Sequence, residues 1–190
     1  WSVEGADKKL AQFIKEDKYA VLYALSVIAK NTQAVAEAVI SEGKADGIYL
    51  SMQTIQDAFV GPDLYAEVIS PSELSVLNAA IGAGGKNILH VCGYEGARNN
   101  LSLFKNYPAN AVNFASVVEG VSLAEAKKIF GGKTIIGGFA NTTDGILFSG
   151  TKEEIQAETK RILKDSGRTG IILGADCTIP RSTDLQHLEW

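Results

Sequence analysis

A histidine and two cysteines could form a metal site in this chain. His90 and Cys92 lie two residues apart at the end of an apolar run, and Cys177 follows a second apolar run at residues 170–173. Because side chains alternate between the two faces of a strand, His90 and Cys92 are expected to point to the same side. An imidazole and two thiols form a three-ligand set for Zn²⁺ that leaves a fourth position open for a substrate.

Two other interpretations of these residues stay open. A His-x-Cys pair on a core strand could simply be packed in the interior, since cysteine is among the most buried residue types. Cys92 and Cys177 could also form a disulfide. However, two cysteines in a chain of this size do not make a disulfide framework, and a reducing cytoplasm is the default. We therefore favour the metal site and predict a cytoplasmic protein.

Further polar residues follow several predicted strands and are candidates for substrate binding: Tyr49, Ser51, Gln53, Asn141, Thr142 and Asp176. The first three share one face of a strand and could hydrogen-bond a substrate, or they could be a polar strand end. The asparagine–threonine pair could bind an anionic group or belong to a turn. The aspartate could orient His90 or a substrate amine, or it could be solvated.

Composition excludes two classes of partner. The chain has 190 residues, 46% of them hydrophobic and 21% charged, with a net charge of −4 and mean hydropathy of +0.05. Acidic and basic residues are interspersed, so no basic stripe is present and nucleic acid is not expected as a partner. The longest apolar stretch, at residues 20–29, is too short to span a bilayer, so no membrane is expected either.

Strand and helix patterns alternate along the chain. Apolar runs predict six strands, at residues 19–27, 46–52, 87–92, 111–115, 134–139 and 171–175. Helical patterns cover residues 5–16, 32–42, 63–81, 98–105, 122–130, 151–165 and 182–190, and two of these helices start with capping boxes. Without hairpin signals, this order predicts an α/β fold with parallel strands covered by helices.

Two α/β architectures fit this pattern, an open doubly wound sheet and a (β/α)₈ barrel. No G-x-G-x-x-G turn follows the first predicted strand, as a nucleotide-binding open sheet usually requires. Polar residues instead follow many strands, which is typical of barrel enzymes, and we favour the barrel. We predict one domain over residues 1–190. Since such barrels have about 250 residues, this domain would be a C-terminal portion with about six β/α units, and the N-terminal units would be missing.

Five stretches of the chain resemble the uroporphyrinogen decarboxylase superfamily, at residues 45–53, 88–93, 137–142, 150–155 and 172–177. This resemblance also implies a (β/α)₈ barrel. Within the superfamily, His90, Cys92 and Cys177 match the ligands of zinc-dependent enzymes that methylate coenzyme M or related thiols from a corrinoid protein. True decarboxylases carry a Gly-His pair where this chain has Asp176 and Cys177. Some relatives add a Glu ligand where this chain has Asn113, and Glu119 is a weak substitute for it.

The resemblance implies zinc as cofactor, a small thiol as substrate and a corrinoid protein as methyl donor. One alternative is a uroporphyrinogen III decarboxylase, which acts on a tetrapyrrole and uses no metal. A second is an inactive ligand- or metal-binding barrel fragment, stable as a homo-oligomer because an incomplete barrel exposes strand edges. The chain opens without an initiator methionine and looks like part of a longer protein. We predict that the 190-residue segment alone is inactive.

Overall fold

The computed structural model describes residues 5–93 and 97–190. The expectation that the chain is part of a longer protein rests on residues 1–4, which lie outside the described residues. Five strands form one parallel sheet in the order β1-β2-β3-β4-β5. They are β1 (Tyr49–Met52), β2 (Ile88–Val91), β3 (Ala111–Phe114), β4 (Thr134–Phe139) and β5 (Ile171–Ala175). Helices separate the strands in sequence, and the predicted α/β fold is confirmed.

The helices of the described chain range from four residues to the 24 residues of α2. They are α1 (Ala6–Glu16), α2 (Lys18–Ser41), α3 (Pro62–Val68), α4 (Ser70–Gly82), α5 (Ser116–Glu119), α6 (Leu123–Ile129), α7 (Ile146–Ser149), α8 (Lys152–Ser166) and α9 (Leu185–Glu189). A short 3₁₀ helix, Leu101–Phe104, precedes β3. Both predicted capping boxes are present, at the start of α6 and of α8.

The strand register brings the carboxyl ends of β3, β4 and β5 together. Asn113 of β3 lies opposite Ile136 of β4, and Phe139 at the end of β4 lies opposite Ala175 at the end of β5. Parallel strands in register end at the same edge of a sheet. Side chains that follow these strands are therefore neighbours in space although they are far apart in the sequence.

The chain divides into two compact units. The first comprises Trp1–Ile88 and Tyr107–Ala109, and the second comprises Leu89–Asn106 and Asn110–Trp190. In the first unit α2 packs against α4, around the buried side chains of Ala36, Ile40 and Ala80. The expectation of a single domain from residue 1 to residue 190 stays a prediction.

The core of the second unit lies around β3 and β4. The rings of Phe114 and Phe130 are fully buried, with centroids 6.1 Å apart. Helices α6 and α8 contact each other, and α6 also packs against β4. Leu123 of α6 and Ile162 of α8 are buried there. This packing fixes the strands whose ends carry the candidate site residues.

The predicted strand at residues 19–27 is wrong, because this segment is the first part of α2. A continuous apolar run has no period that separates a buried strand from a helix. The side chain of Asp17 accepts a hydrogen bond from the amide of Ala20 and caps the helix at its start. No glycine or proline occurs from Lys18 to Ser41, so the helix continues to that residue. The described chain therefore has five strands rather than six.

Other predicted bounds need smaller corrections. The predicted helix at residues 63–81 is two helices, and the proline at position 71 lies in the first turn of α4, where its missing N–H removes no helical hydrogen bond. Of the helix predicted at 98–105, only the 3₁₀ turn Leu101–Phe104 forms. The last helix is confined to Leu185–Glu189. None of the helices in the described part of the chain is long and apolar enough to cross a membrane.

Candidate metal centre

The structure brings His90, Cys92 and Cys177 together in the second unit. Their ligand atoms all lie within 4.8 Å of one another. His90 is in β2, Cys92 directly follows that strand, and Cys177 follows β5 by two residues. His90 is 3% exposed, whereas both cysteines are half-buried and carry thiols without a disulfide. The predicted convergence of these three side chains is confirmed.

The distance between the ligand atoms of His90 and Cys177 suits a tetrahedral zinc ion. With Zn–N near 2.0 Å and Zn–S near 2.3 Å, a tetrahedral angle places the nitrogen and sulfur of two ligands about 3.5 Å apart. Nε2 of His90 lies 3.5 Å from Sγ of Cys177. The donor set of one nitrogen and two sulfurs is also one that zinc takes in catalytic sites with an open fourth position. The residues present therefore fit this metal.

The imidazole of His90 is held in one tautomer by Asn113. The amide nitrogen of Asn113 donates hydrogen bonds to the carbonyl oxygens of Ile136 at 3.0 Å and Ala175 at 3.4 Å. Its oxygen must then face the imidazole, and it lies 2.6 Å from Nδ1 of His90. Since an amide oxygen only accepts, Nδ1 carries the proton and Nε2 presents its lone pair towards Cys177.

The main chain at Cys92 is held by a buried asparagine and a buried glutamate. The side-chain amide of Asn99 donates to the carbonyl oxygen of Cys92 at 2.9 Å and to Oε1 of Glu119 at 2.7 Å. The backbone amide of Asn99 donates to Oε2 of the same carboxylate at 3.0 Å. Both oxygens of Glu119, which is 2% exposed, are thus engaged. Within the described residues, Glu119 is not a member of the metal-ligand group.

The residue before Cys177 is the most extensively bonded carboxylate of the second unit. Asp176 is 1% exposed and accepts hydrogen bonds from the hydroxyl of Ser116 and the backbone amide of Val117. It also accepts from the backbone amide of Gly138 at 2.9 Å. A Cβ atom at Gly137, where φ is +140°, would lie 3.0 Å from Oδ1 of Asp176, so a glycine suits both the backbone and the space there.

Burial sets the protonation of these groups. Burial lowers the pKa of His90, and its bond with Asn113 only partly opposes this, so the imidazole is neutral at neutral pH. Burial, followed by the proximity of Cys177, raises the pKa of the Cys92 thiol. A divalent cation between these groups would reverse the effect on the thiol, since a coordinated thiol is deprotonated.

Comparison with known proteins decides the family. The sequence matches the family of uroporphyrinogen decarboxylase (URO-D) over residues 3–190. The chain belongs to the uroporphyrinogen decarboxylase family. Comparison with curated proteins gave no match. Among solved structures, the chain is similar to a methyltransferase from Methanosarcina mazei, with a TM-score of 0.77 and 18% sequence identity. The similarity covers 97% of this chain and 51% of the methyltransferase, so the chain spans about half the length of that protein.

Of the substrate candidates in this URO-D family chain, three lie in the same unit as the candidate metal centre. The side chain of Asn141 donates to the carbonyl oxygen of Thr178 at 3.1 Å. Thr142 is exposed and begins a turn in which its carbonyl accepts from the amide of Gly145. The carboxylate of Asp176 bonds to protein groups, as described above. A role of these three residues in substrate binding stays a prediction.

The other candidates lie in the first unit. Tyr49 and Ser51 are exposed side chains of β1, and Gln53 follows the strand. Ser51 and Gln53 line a cavity of about 220 Å³ whose wall is mostly apolar and includes Glu73. Tyr49 and Ser51 lie on the same, exposed face of β1. That Gln53 shares this face, and that the three residues contact a substrate, stay predictions.

Sequence reasoning missed the residues that support the ligands. Asn99 and Ser116 carried no signal, because asparagine and serine are common in loops and at helix starts. Asn113 and Glu119 were singled out only as departures from a ligand pattern. Their hydrogen bonds cross 20 to 23 positions of the chain, and a sequence does not show such pairs. A polar residue inside an otherwise apolar strand, as at Asn113, was the one available sign of buried bonding.

Proposed function

We propose that this chain is part of a zinc-dependent methyltransferase that transfers a methyl group to a thiol. The methyl donor would be a corrinoid bound to a partner protein, or another methyl donor. The single observation that carries the proposal is the convergence of one imidazole nitrogen and two thiols within 4.8 Å. The likeness to a methyltransferase of about twice the length supports the same choice. A decarboxylase without metal would give these three side chains no role.

The chemistry of the proposed site follows from its ligands. A zinc ion bound there would lower the pKa of a substrate thiol, so that the thiol binds as a thiolate at neutral pH. His90 would contribute a neutral donor through Nε2, while Cys92 and Cys177 would lose their protons and contribute two negative charges. These two charges equal that of a divalent ion, which leaves electron density on an added third sulfur. The thiol proton would leave when the substrate binds. Methyl transfer would then form a carbon–sulfur bond from the thiolate and break the bond between the methyl group and its donor, whose electron pair would stay with the donor.

Binding of the substrate and donor belongs to the same proposal. The polar residues proposed to contact the substrate are Tyr49, Ser51, Gln53, Asn141, Thr142 and Asp176. A small thiol with an anionic end would suit the asparagine and threonine after β4, since both side chains offer hydrogen-bond donors. The proposed enzyme acts in the cytoplasm, where free thiols are reduced.

Metal analysis tests the proposal. Protein purified without chelator is expected to retain about one zinc ion per chain, the stoichiometry of a single three-ligand site. His90→Gln and Cys177→Ser should each lose the metal. His187→Gln is the matched control, because the Nδ1 of His187 lies 3.0 Å from the carbonyl oxygen of Leu147 and the residue is not in the ligand group. A wild-type chain that neither retains zinc nor takes up added Zn²⁺ or Co²⁺ would contradict the proposal.

Activity assays separate the three candidate functions. Formation of a methyl thioether from methylcobalamin and a small thiol, dependent on zinc, would establish methyl transfer. Release of CO₂ from uroporphyrinogen III by metal-free protein would instead establish a decarboxylase. Stoichiometric zinc without turnover by the 190 residues, together with turnover by a longer protein that contains them, would agree with the expected inactivity of this segment alone.

A further inference from the structure

One short segment of the second unit contacts the supports of all three candidate ligands. Residues 113–119 include the end of β3 and the whole of α5. Three of its side chains are buried and polar, and they occur at every third position: Asn113, Ser116 and Glu119. Burying a polar group is unfavourable unless it is hydrogen-bonded, so each of these side chains requires a partner.

Each of these three side chains is linked to a different candidate ligand through hydrogen bonds. Asn113 accepts from Nδ1 of His90 directly. The hydroxyl of Ser116 donates to both oxygens of Asp176, at 2.8 Å and 2.9 Å, and this residue precedes Cys177. For the third ligand, the contact passes from Glu119 through Asn99 to the carbonyl oxygen of Cys92. The distances of its two steps are 2.7 Å and 2.9 Å.

We propose that residues 113–119, which we call the positioning segment, fix the three ligands relative to one another before a metal binds. This inference rests on the proposed metal site. The ligands come from two separate stretches of the chain, and a direct contact between these stretches is made by the ligand side chains themselves, with Nε2 of His90 3.5 Å from Sγ of Cys177. The positioning segment bonds to both stretches. It therefore supplies a common support, and preorganised ligands lose less conformational freedom when they bind.

Glu119→Gln tests the support of Cys92. Glutamine keeps the shape of the side chain, but its amide nitrogen replaces one of the two oxygens that accept from Asn99. We expect the affinity for Co²⁺, used as a spectroscopic probe, to fall about 10- to 100-fold, as is typical when an outer partner of a metal ligand is changed. The thiolate-to-cobalt charge-transfer absorption should also change. Glu73→Gln, the same substitution at a half-buried carboxylate of the first unit, should bind Co²⁺ like the wild type.

Asn113→Leu tests the support of His90 by a measurement that needs no metal. Leucine removes the acceptor, so Nδ1 of His90 should no longer be the preferred site of the ring proton. The chain has only two histidines, and ¹⁵N NMR of the ring nitrogens should show a changed tautomer at His90. The signals of His187 serve as an internal control and should stay as they are in the wild type. A variant whose fold alone were weakened would not shift the tautomer of one histidine selectively.

The outcomes distinguish this inference from the proposed function. A wild-type chain that binds no Co²⁺ contradicts the metal site itself. If the wild type binds Co²⁺ and folded Glu119→Gln and Asn113→Leu bind it with unchanged affinity and spectrum, the positioning segment has no such role. Should Glu119→Gln fail to fold, Ser116→Ala decides instead. It leaves the amides of Val117 and Gly138 on Asp176, and weaker Co²⁺ binding by this variant supports the inference whereas unchanged binding overturns it.

Discussion

A half-buried carboxylate of the first unit, Glu73, and a buried carboxylate of the second unit, Asp176, are bonded differently. In the first unit, Glu73 accepts hydrogen bonds from the hydroxyls of Tyr65 at 2.7 Å and Tyr107 at 2.6 Å. In the second unit, Asp176 accepts from one hydroxyl and two backbone amides. Hydroxyl groups can rotate to another acceptor, whereas backbone amides are fixed by the fold. Asp176 is therefore part of a rigid frame beside candidate ligands, while Glu73 belongs to an adjustable network.

The comparison also shows when a carboxylate with a raised pKa indicates a functional site. Burial raises the pKa of both groups, and in both cases hydrogen bonds oppose that effect. The shift alone therefore does not distinguish them. What distinguishes Asp176 is that it adjoins a residue of a convergent His/Cys/Cys group. A shifted pKa is a better guide to function when the shifted group lies beside other residues that can take part in chemistry, such as candidate metal ligands.

The largest expected effect compares Asp176→Ala with Glu73→Ala. Removing Asp176 leaves one buried hydroxyl and two backbone amides without their acceptor. We expect the free energy of unfolding of metal-free protein to fall by about 3 kcal/mol. For Glu73→Ala we expect about 1 kcal/mol, since the hydroxyl of Tyr107 also lies 2.8 Å from Oγ of Ser70 and keeps a partner. Urea unfolding measures both values. Equal losses would show that carboxylates bonded to fixed amides and to rotating hydroxyls contribute equally to the free energy of unfolding.

Zinc should stabilise the chain through the second unit only. At a free zinc concentration of about 100 times the dissociation constant, we expect about 2.7 kcal/mol of added stability. Cys177→Ser should abolish this gain, whereas Glu73→Gln should retain it. Thermal unfolding with zinc and with chelator gives the difference. A gain that survives in Cys177→Ser would place the bound zinc elsewhere.

The pH dependence of stability should reveal the raised pKa of Glu73. Because burial raises the pKa of this carboxyl in the folded state, its protonated form is favoured there, and the associated stability is lost as the pH rises through the raised pKa. Glu73→Gln has no proton to lose. The stability of this variant relative to the wild type should therefore increase as the pH rises above about 4, the ordinary pKa of a glutamate, and through the raised pKa of the folded state. Urea unfolding of both proteins across this range measures it, and a constant difference would contradict the raised pKa.

The smallest expected effect is that of Tyr107→Phe. This variant loses one of the two hydroxyls that donate to Glu73, and we expect a loss of about 0.5 kcal/mol in the free energy of unfolding. Tyr19→Phe is the matched control. Tyr19 is 75% exposed, and its hydroxyl is expected to contribute nothing measurable. Equal effects of the two substitutions would mean that Tyr65 alone satisfies the carboxylate.

Sequence reasoning reached the fold and the ligand group by different routes. Five strands were predicted correctly in place because each is a short apolar run bounded by turn residues. The run at residues 19–27 failed because a 24-residue helix with apolar residues on several faces has the same local pattern. Cys92 and Cys177 were found because both follow strands, and parallel strands end together. Their role as metal ligands stays a prediction.

The supports of the site were beyond sequence reasoning for a physical reason. Asn99, Ser116 and Glu119 act through hydrogen bonds between residues that meet only after the strands have paired. Neither residue type nor spacing encodes such a pairing, and each residue taken singly is ordinary for a loop or a short helix. The α5 helix itself, with four residues, is too short for a periodic pattern to show.

The acceptor on His90 is an amide, and this affects how electron-rich the site would be. A carboxylate in that place would draw the ring proton towards itself and make the imidazole a stronger electron donor. The neutral oxygen of Asn113 does so less, so a cation on Nε2 would receive less charge from the ring. Such a cation would act as a stronger Lewis acid towards whatever occupies its remaining coordination position.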